Sequence, residues 1–297
     1  QSYSIKAVLS ENSNDEPISS LKLTDLSTQS LDFSFSNLKN IKLWDCTNPN
    51  LYMIRVNLFD GDTLLDSLET RFGFRTVNFS ENGFYLNGVP IKLMGLNRHQ
   101  SYPYVGYAMP KSAQFNDAEI LKYQLGVNIV RSSHYPPSRH FLDKCDEIGL
   151  MVFDEIPGWQ HIGDKTWRRT MLENVVDMIK RDWNHPSVVI WGVRINESAD
   201  DDSLYSESNA LARKLDTTRP TGGVRNFSGS HIYEDVYTYN DFSHRGGKQV
   251  LDIPIKIAKK KMPYLVTEHN GHMFPTKPFD SEAKRIEHAL RHTRVLN

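Results

Sequence analysis

Two glutamates of this 297-residue chain each end a run of largely apolar residues. Glu197 ends the segment IWGVRINE (residues 190–197), and Glu268 ends the segment PYLVTE (residues 263–268). Two carboxyl groups on either side of a sugar can cleave a glycosidic bond, because one gives a proton to the departing oxygen while the other attacks the anomeric carbon or activates water. The pair therefore predicts glycoside hydrolysis, provided that the fold brings both side chains to one cleft.

The elements that must position these glutamates begin near residue 91, where apolar strand-like runs start to alternate with amphipathic helical stretches. This alternation is typical of parallel βα units. We expect strands at residues 91–96, 127–130, 151–153, 188–191, 220–224, 235–237 and 264–267, and helices near residues 117–125, 139–148, 167–183, 203–215, 249–260 and 282–295. Seven strands predict a (β/α)8 TIM barrel that lacks its eighth βα unit. A doubly wound open sheet is the alternative, but it requires a glycine-rich phosphate loop after its first strand, and MGLNR (residues 94–98) is not one.

The first 77 residues have a different pattern. Short segments such as LDFSF (residues 31–35) and YMIRVNL (residues 52–58) alternate apolar with other residues, and polar turn clusters separate them. This pattern predicts a small antiparallel β-sandwich. A hairpin with an Asn-Gly turn, at residues 84–91, opens the second domain.

Polar residues follow several of the predicted barrel strands. In a βα barrel the reacting groups gather where strands end and loops begin. Besides the two glutamates, these positions hold Asn97-Arg98-His99, Arg131-Ser132-Ser133-His134, Asp154-Glu155 and Asn196. A metallohydrolase site is a weaker alternative, because the chain has neither a His-x-His nor a His-Glu-x-x-His spacing.

Five motifs, in chain order, resemble those of glycoside hydrolase family 2, which contains β-galactosidases, β-glucuronidases and β-mannosidases. They are FYLNGVPIKLMGLNRHQ (residues 84–100), NIVRSSHYP (128–136), LMVFDEIP (150–157), WGVRINES (191–198) and YLVTEHNG (264–271). The resemblance runs through nearly the whole chain. It implies an immunoglobulin-like β-sandwich domain over residues 1–77 and a truncated TIM-barrel catalytic domain over residues 78–297.

The resemblance also implies roles for individual residues. Glu197 is expected to be the general acid/base and Glu268 the nucleophile, with retention of the anomeric configuration. The implied substrate-binding residues are Asn196 on the sugar 2-hydroxyl, His99 and His134 on other hydroxyls, Arg131 beside the nucleophile, and Tyr239 against Glu268. Trp159 is expected to line a sugar subsite, since aromatic faces pack well on sugar rings.

Two features depart from the family pattern. Four residues stand between Trp191 and Asn196, where the family usually has three, and Arg194 is an uncommon occupant of this stretch. Magnesium-dependent relatives carry Glu and His ligands after the third strand, whereas this chain has Gly158 and Gln160. We therefore expect no metal site and no required cofactor, and magnesium is doubtful.

Charge and apolar content exclude several classes of partner. The 35 Lys and Arg residues against 36 Asp and Glu residues give a net charge of −1, so no overall basic field attracts nucleic acid. No apolar run approaches the ~20 residues that a membrane-spanning helix needs. The 2 cysteines exclude a disulfide scaffold. The expected partner is a carbohydrate substrate, with no nucleic acid and no membrane span, and a homo-oligomer is compatible with the sequence.

The leading hypothesis is a retaining, exo-acting glycosidase that cleaves terminal β-D-galactosides. The preference for galactose rests on resemblance in WGVRINES and in RPTGGVRN (residues 219–226). A β-glucuronidase or β-mannosidase of the same family, or a non-catalytic carbohydrate-binding remnant, is the alternative. Because family members carry a further domain before the sandwich and an eighth barrel strand, we expect an internal fragment that is weakly active or inactive alone. We favour a periplasmic or secreted compartment.

Overall fold

The structure is a computed structural model that describes residues 3–11, 16–24, 26, 30–242, 250–270 and 277–296. Within this part of the chain, an antiparallel sheet comes first and a parallel sheet with helices follows. The antiparallel sheet has the strand order β2-β1-β3-β4. Its strands are β1 (Tyr3–Glu11), β2 (Pro17–Thr24), β3 (Tyr52–Asp60) and β4 (Thr63–Phe72).

A three-stranded sheet connects the two parts. Its strands are β5 (Val77–Ser80), β6 (Gly83–Leu86) and β7 (Val89–Ile91). Asn87 and Gly88, between β6 and β7, have φ values of 53° and 78°, as a tight hairpin turn of this type requires. Phe84 and Leu86 are buried with apolar residues from the beginnings of the barrel strands, so the hairpin covers the amino-terminal end of the barrel.

Among the described residues, the barrel contains seven parallel strands in chain order, each hydrogen-bonded to the next. They are β8 (Gly95–Arg98), β9 (Ile129–Ser132), β10 (Met151–Glu155), β11 (Val188–Gly192), β12 (Thr221–Arg225), β13 (Val236–Asp241) and β14 (Tyr264–His269). The described helices are α1 (Lys111–Glu119), α2 (Arg139–Ile148), α3 (Lys165–Asp182), α4 (Asp202–Leu215), α5 (Pro254–Ala258) and α6 (Glu282–Leu296), and a π-helical segment (Ile120–Gln124) extends α1. This confirms the predicted TIM barrel with seven of its eight strands.

Both ends of helix α2 are set by local sequence signals. The side chain of Ser138 accepts a hydrogen bond from the backbone N–H of His140 and caps the first turn. Gly149 ends the helix at φ 70°, in the left-handed region that favours glycine. The predicted helix over residues 139–148 therefore matches the observed bounds.

Several predicted elements differ from the structure. The segment LDFSF (residues 31–35), expected to be strand-like, lies between strands β2 and β3 and pairs with no described strand. The helix expected near residues 117–125 begins earlier, at Lys111. The first barrel strand, expected at residues 91–96, is β8 at Gly95–Arg98, because Val89–Ile91 belongs to the hairpin. The sixth strand, expected to end at residue 237, continues to Asp241. The Lys-rich helix expected over residues 249–260 is the short helix α5, and residues 243–249 lie outside the described part. The predicted domain division at residues 77 and 78 falls at the beginning of β5.

Buried contacts join the antiparallel sheet region to the barrel. The indole Nε1 of Trp44, which is fully buried, donates to the carbonyl oxygen of Asp146 at 2.8 Å. The Nη2 of Arg75 donates to the carbonyl oxygen of Val188, also at 2.8 Å. In the described part of the chain, we find no helix whose length and apolar content would allow it to cross a bilayer.

Candidate active site

Arg131, on strand β9, is the centre of a polar cluster at the carboxyl end of the barrel. Its side chain is 4% exposed. Nη1 donates to Oε1 of Glu268 at 2.6 Å, Nε donates to Oε2 of Glu155 at 2.9 Å, and Nη2 donates to Oδ1 of Asn196 at 2.8 Å. One guanidinium thus connects residues from strands β10 and β14 and from the loop after β11.

The pairing between Arg131 and Glu268 suits a nucleophile. Glu268 lies on β14, and its side chain is 20% exposed, so it is shielded but still reachable from the cleft. A charge-assisted hydrogen bond to a planar guanidinium stabilises a carboxylate and fixes its plane. The family resemblance implies Arg131 beside this residue, and the structure brings the two side chains together.

His134 and His99 lie on the same side of the cleft as Glu268. Nδ1 of His134 is 2.8 Å from Oε1 of Glu155, and Nε2 is 3.9 Å from Oε1 of Glu268. The His99 ring meets the His134 ring edge to face, with centroids 5.3 Å apart. Partial desolvation, followed by the neighbouring His134, lowers the pKa of His99. A neutral imidazole at this position can donate to a hydroxyl or accept from one.

Glu197 follows β11 and turns into the same cleft. Its backbone has φ 54°, and its N–H donates to the carbonyl oxygen of Val224 at 2.9 Å. Asn240 Nδ2 donates to its Oε1 at 3.0 Å, Gln160 Nε2 donates to its Oε2 at 3.1 Å, and Trp159 Nε1 lies 3.4 Å from Oε2. A left-handed conformation is uncommon for a residue with a long side chain, and such positions cluster at functional sites.

Asn196 links the surroundings of the two glutamates. Its Oδ1 accepts from Arg131 Nη2 at 2.8 Å and lies 3.4 Å from Nδ2 of Asn240, which also donates to Glu197. A continuous series of hydrogen bonds therefore runs from Glu268 through Arg131, Asn196 and Asn240 to Glu197. The two glutamates therefore belong to one hydrogen-bonded polar cluster.

Two family models match this chain. The model described as "Glycosyl hydrolases family 2, TIM barrel domain" matches residues 77–288, and the one described as "Glycosyl hydrolases family 2" matches residues 1–75. The chain belongs to glycosyl hydrolase family 2. Its fold class is confirmed as a family 2 sandwich domain followed by an incomplete TIM barrel.

Relatives and solved structures agree with this assignment. A β-galactosidase of Thermoanaerobacterium thermosulfurigenes is 56% identical over 267 residues, which are 89% of this chain and 37% of that protein. The structure of a Parabacteroides merdae β-glucuronidase with glycerol in its active site is 28% identical, with a TM-score of 0.70 over 82% of this chain and 32% of that one. The fold of a Dictyoglomus thermophilum β-D-glucuronidase matches with a TM-score of 0.80 at 23% identity, over 99% of this chain and 55% of that one. The chain thus spans between 32% and 55% of the length of these proteins.

Trp159 is an exposed aromatic side chain next to Glu197. It is 61% exposed, and its indole Nε1 faces the carboxylate of Glu197. The loop that carries it pairs with the loop that carries Glu197, since the backbone N–H of Gln160 donates to the carbonyl oxygen of Asn196 at 2.8 Å. Trp159 is therefore positioned to contact a group bound next to Glu197.

Tyr239 is the predicted site residue that the structure does not bring to Glu268. It packs with Tyr237 and Ile257 on the outer side of the barrel, and its ring lies 6.4 Å from that of Tyr264. Burial, followed by the nearby acidic residues, raises the pKa of Tyr239 to about 12. Because side chains alternate along β13, its neighbour Asn240 is the residue that faces the cleft.

Three site residues had no assigned role from the sequence. Glu155 was recognised only as a polar residue after a strand, and Gln160 only as a position without a metal ligand. Asn240 was missed because the sixth strand was predicted to end three residues before it. A strand extended through YTYND (residues 237–241) would have placed Asn240 at the carboxyl end, where the reacting groups gather.

The departure at Arg194 has a structural explanation. Its side chain is 1% exposed, and it points away from the cleft into a buried cluster. Nη2 donates to the carbonyl oxygen of Ser198 at 3.0 Å and to Oδ1 of Asp200 at 2.8 Å, and the guanidinium lies 4.6 Å from the ring centre of Tyr205. Arg194 therefore supports the loop that follows Glu197 from behind.

The residues after the third strand do not fit a magnesium site. Gly158 has no side chain to coordinate an ion, and the amide N–H of Gln160 donates to Glu197. Magnesium prefers carboxylate and other oxygen ligands in octahedral geometry. Among the described residues, a group of three possible metal ligands, Asp143, Asp146 and His185, lies outside this cluster.

Proposed function

We propose that this chain carries the catalytic pair of a retaining, exo-acting β-glycosidase that hydrolyses terminal β-D-galactosides. The observation that supports this most strongly is the hydrogen-bonded series from Glu268 through Arg131, Asn196 and Asn240 to Glu197. The galactoside preference is supported by the 56% identity to a β-galactosidase. No metal or cofactor takes part in the proposed reaction.

In the first step, Glu268 attacks the anomeric carbon and forms a glycosyl ester. The bond from that carbon to the glycosidic oxygen breaks, and Glu197 gives its proton to this oxygen, so that the aglycone leaves as an alcohol. Arg131 holds the attacking carboxylate in place. Asn196 and the two histidines offer hydrogen bonds to the sugar hydroxyls.

In the second step, Glu197 acts as a base. It takes a proton from water, and the resulting hydroxide-like oxygen attacks the anomeric carbon and displaces Glu268. Two displacements on opposite faces restore the original configuration. The product is therefore the β-anomer of the free sugar before it mutarotates.

The test is a panel of nitrophenyl β-D-galactoside, β-D-glucuronide and β-D-mannoside, assayed with the complete gene product that contains these residues. We expect the galactoside to have the highest kcat/KM and proton NMR to detect the β-anomer first. Glu197→Gln and Glu268→Gln should each lower turnover by at least about 10²-fold. Glu173→Gln, an exposed change on α3, is the matched control and should leave turnover unchanged.

The same panel separates the alternatives. Highest turnover of the glucuronide or the mannoside would replace the galactosidase proposal by another activity of family 2. Sugar binding without hydrolysis of any glycoside would indicate the non-catalytic remnant. Release of the α-anomer would contradict the double displacement.

A further inference from the structure

The two oxygens of the Glu197 carboxylate have different surroundings. Oε1 accepts from Asn240, which is 1% exposed. Oε2 accepts from Gln160 and faces the indole N–H of Trp159, and both of these side chains are exposed. Exposed donors can be displaced by a ligand at little cost, whereas a buried donor stays in place. Oε1 is therefore the anchored oxygen, and Oε2 is the one open to a substrate.

The amide of Asn240 is itself held in one orientation. Nδ2 faces two acceptors, namely Oε1 of Glu197 and Oδ1 of Asn196, and the latter already accepts from Arg131. On its other side, the hydroxyl of Thr267 donates to Oδ1 of Asn240 at 2.9 Å. A flipped amide would turn its oxygen toward two acceptors, so the partners on both sides select the observed orientation.

The pairing of β13 with β14 places Asn240 between the two glutamates. The register of the two strands shifts between Tyr239 and Asn240, so Tyr239 is opposite Val266 whereas Asn240 is opposite Glu268. Thr267, which orients the amide, directly precedes Glu268 in the chain. One buried side chain thus contacts the acid/base and is fixed by the strand that carries the nucleophile.

We propose that Asn240 is a positioning residue for the acid/base, which fixes Oε1 of Glu197 so that the proton carried on Oε2 faces the glycosidic oxygen. This inference rests on the proposed glycosidase function. The bound substrate takes the place of the Gln160 and Trp159 donors at Oε2. Proton transfer depends on a held geometry, because an acid that can rotate away spends less time within reach of the leaving oxygen. Asn240 touches no reacting atom.

A positioning role predicts a dependence on the leaving group. A poor leaving group needs the proton in the transition state, whereas a good one departs without it. We therefore expect Asn240→Ala to lower kcat/KM for phenyl β-D-galactoside by roughly 10²-fold and for the 2,4-dinitrophenyl compound by less than about threefold. A residue that only supports the fold would lower both values by the same factor.

Thr267 gives a test that leaves Asn240 in place. Thr267→Val removes the hydroxyl while keeping the shape, so the amide loses the donor to its Oδ1. We expect a loss of about tenfold on the phenyl substrate and little on the dinitrophenyl one. Thr267→Ser retains the hydroxyl and should recover most of that loss. If Asn240→Ala fails to fold, the comparison of Thr267→Val with Thr267→Ser still tests the positioning role, because kcat/KM is measured on the same two substrates.

The outcomes separate this inference from the proposed function. A wild-type protein that hydrolyses no glycoside contradicts the proposed function itself. An active wild type whose Asn240 and Thr267 variants lose the same factor on every leaving group, or lose nothing on the phenyl substrate, overturns the positioning role alone. Thermal unfolding of each variant should accompany the kinetics.

Discussion

Nη1 of Arg131 lies 2.6 Å from Oε1 of Glu268, while Nε and Nη2 of the same guanidinium hold both carboxylate oxygens of Glu155. Glu155 is 2% exposed and Glu268 is 20% exposed. One side chain therefore neutralises a buried carboxylate and orients a reachable one. The two tasks can be separated by substitution.

We predict that Arg131→Met removes both the charge that neutralises Glu155 and the donor that orients Glu268. Glu155 would be left buried without its cation, which should lower the free energy of unfolding by about 3–5 kcal/mol. Loss of the donor to Glu268 should lower kcat/KM by about 10²–10³-fold. Denaturant unfolding and assays on nitrophenyl galactoside measure the two effects.

The double variant Arg131→Met with Glu155→Gln is the control. Removing the unpaired buried charge should recover much of the stability, whereas kcat/KM should stay low because Glu268 still lacks its donor. Equal recovery of stability and activity would mean that Arg131 affects the reaction only through folding. A single variant within twofold of wild type in kcat/KM would contradict the orienting role.

Trp159 is predicted to bind the aglycone through its ring. Trp159→Ala should raise KM for lactose by about tenfold, equivalent to ~1.4 kcal/mol, with a smaller effect on methyl β-D-galactoside. Because the side chain is 61% exposed, the free energy of unfolding should change by no more than about 0.5 kcal/mol.

Trp159→Phe separates the ring from its N–H. It keeps an aromatic face but removes the donor to Oε2 of Glu197, so KM for lactose should be close to that of the wild type and well below that of Trp159→Ala. If the Phe variant is as impaired as the Ala variant, the N–H rather than the ring is the important group. If neither variant changes KM, the aglycone binds elsewhere.

The barrel could be read from the sequence because its signals are local. The helix at Arg139–Ile148 has a serine cap before it and a left-handed glycine after it, and both contacts involve residues within a few positions. Strand β11 is apolar and strand β10 begins with three apolar residues, and both are fully buried, so they differ clearly from the flanking helices. Glu197 follows β11 and Glu268 lies near the carboxyl end of β14, which is why the sequence pointed to them.

The rest of the site depends on contacts that no local pattern encodes. Strand β13 contains the polar residues Thr238, Asn240 and Asp241, and all three are buried. Because polar residues do not give the apolar pattern of a buried strand, the sequence did not predict the carboxyl half of β13. The partners that satisfy Asn240 come from loops and strands 27 to 44 residues away. The family resemblance implied Tyr239 at this place, but side chains alternate along β13, so Tyr239 packs with Tyr237 on the face opposite to Asn240.

Gly149 is predicted to be necessary for the contact between the antiparallel sheet region and the barrel. Its φ is 70°, and an added Cβ would lie 2.7 Å from the carbonyl oxygen of Cys46 and 2.8 Å from that of Asp45. Gly149→Ala therefore adds a clash with rigid backbone to the cost of the left-handed conformation.

Gly126 has φ 68° with nothing near its Cβ position, so Gly126→Ala measures the conformational cost alone, about 1–2 kcal/mol. We expect Gly149→Ala to cost at least about 2 kcal/mol more in denaturant unfolding. Equal costs would mean that residues 45–46 move away without penalty.

His185 should make the free energy of unfolding depend on pH, because it pairs with Asp146, whose carbonyl oxygen accepts from Trp44 at the contact between the antiparallel sheet region and the barrel. Burial alone would lower the pKa of His185, but the hydrogen bond and charge of Asp146, whose Oδ2 is 2.6 Å from Nδ1, outweigh burial, and Asp182 and Asp143 add to them. The pKa of the folded state is therefore raised above the unfolded value of about 6.5. The stabilisation is complete below about pH 6.5 and is lost as the pH rises through the higher pKa of the folded state.

The variant His185→Gln removes this titration while keeping a polar side chain next to Asp146. Its free energy of unfolding should fall less than that of the wild type between pH 6 and pH 9, because the wild type alone loses the imidazolium–carboxylate pair over this range. Denaturant unfolding at several pH values gives the comparison. Parallel pH curves for the two proteins would show that His185 does not gain a proton on folding, and its contact with Asp146 would then be a hydrogen bond from a neutral imidazole.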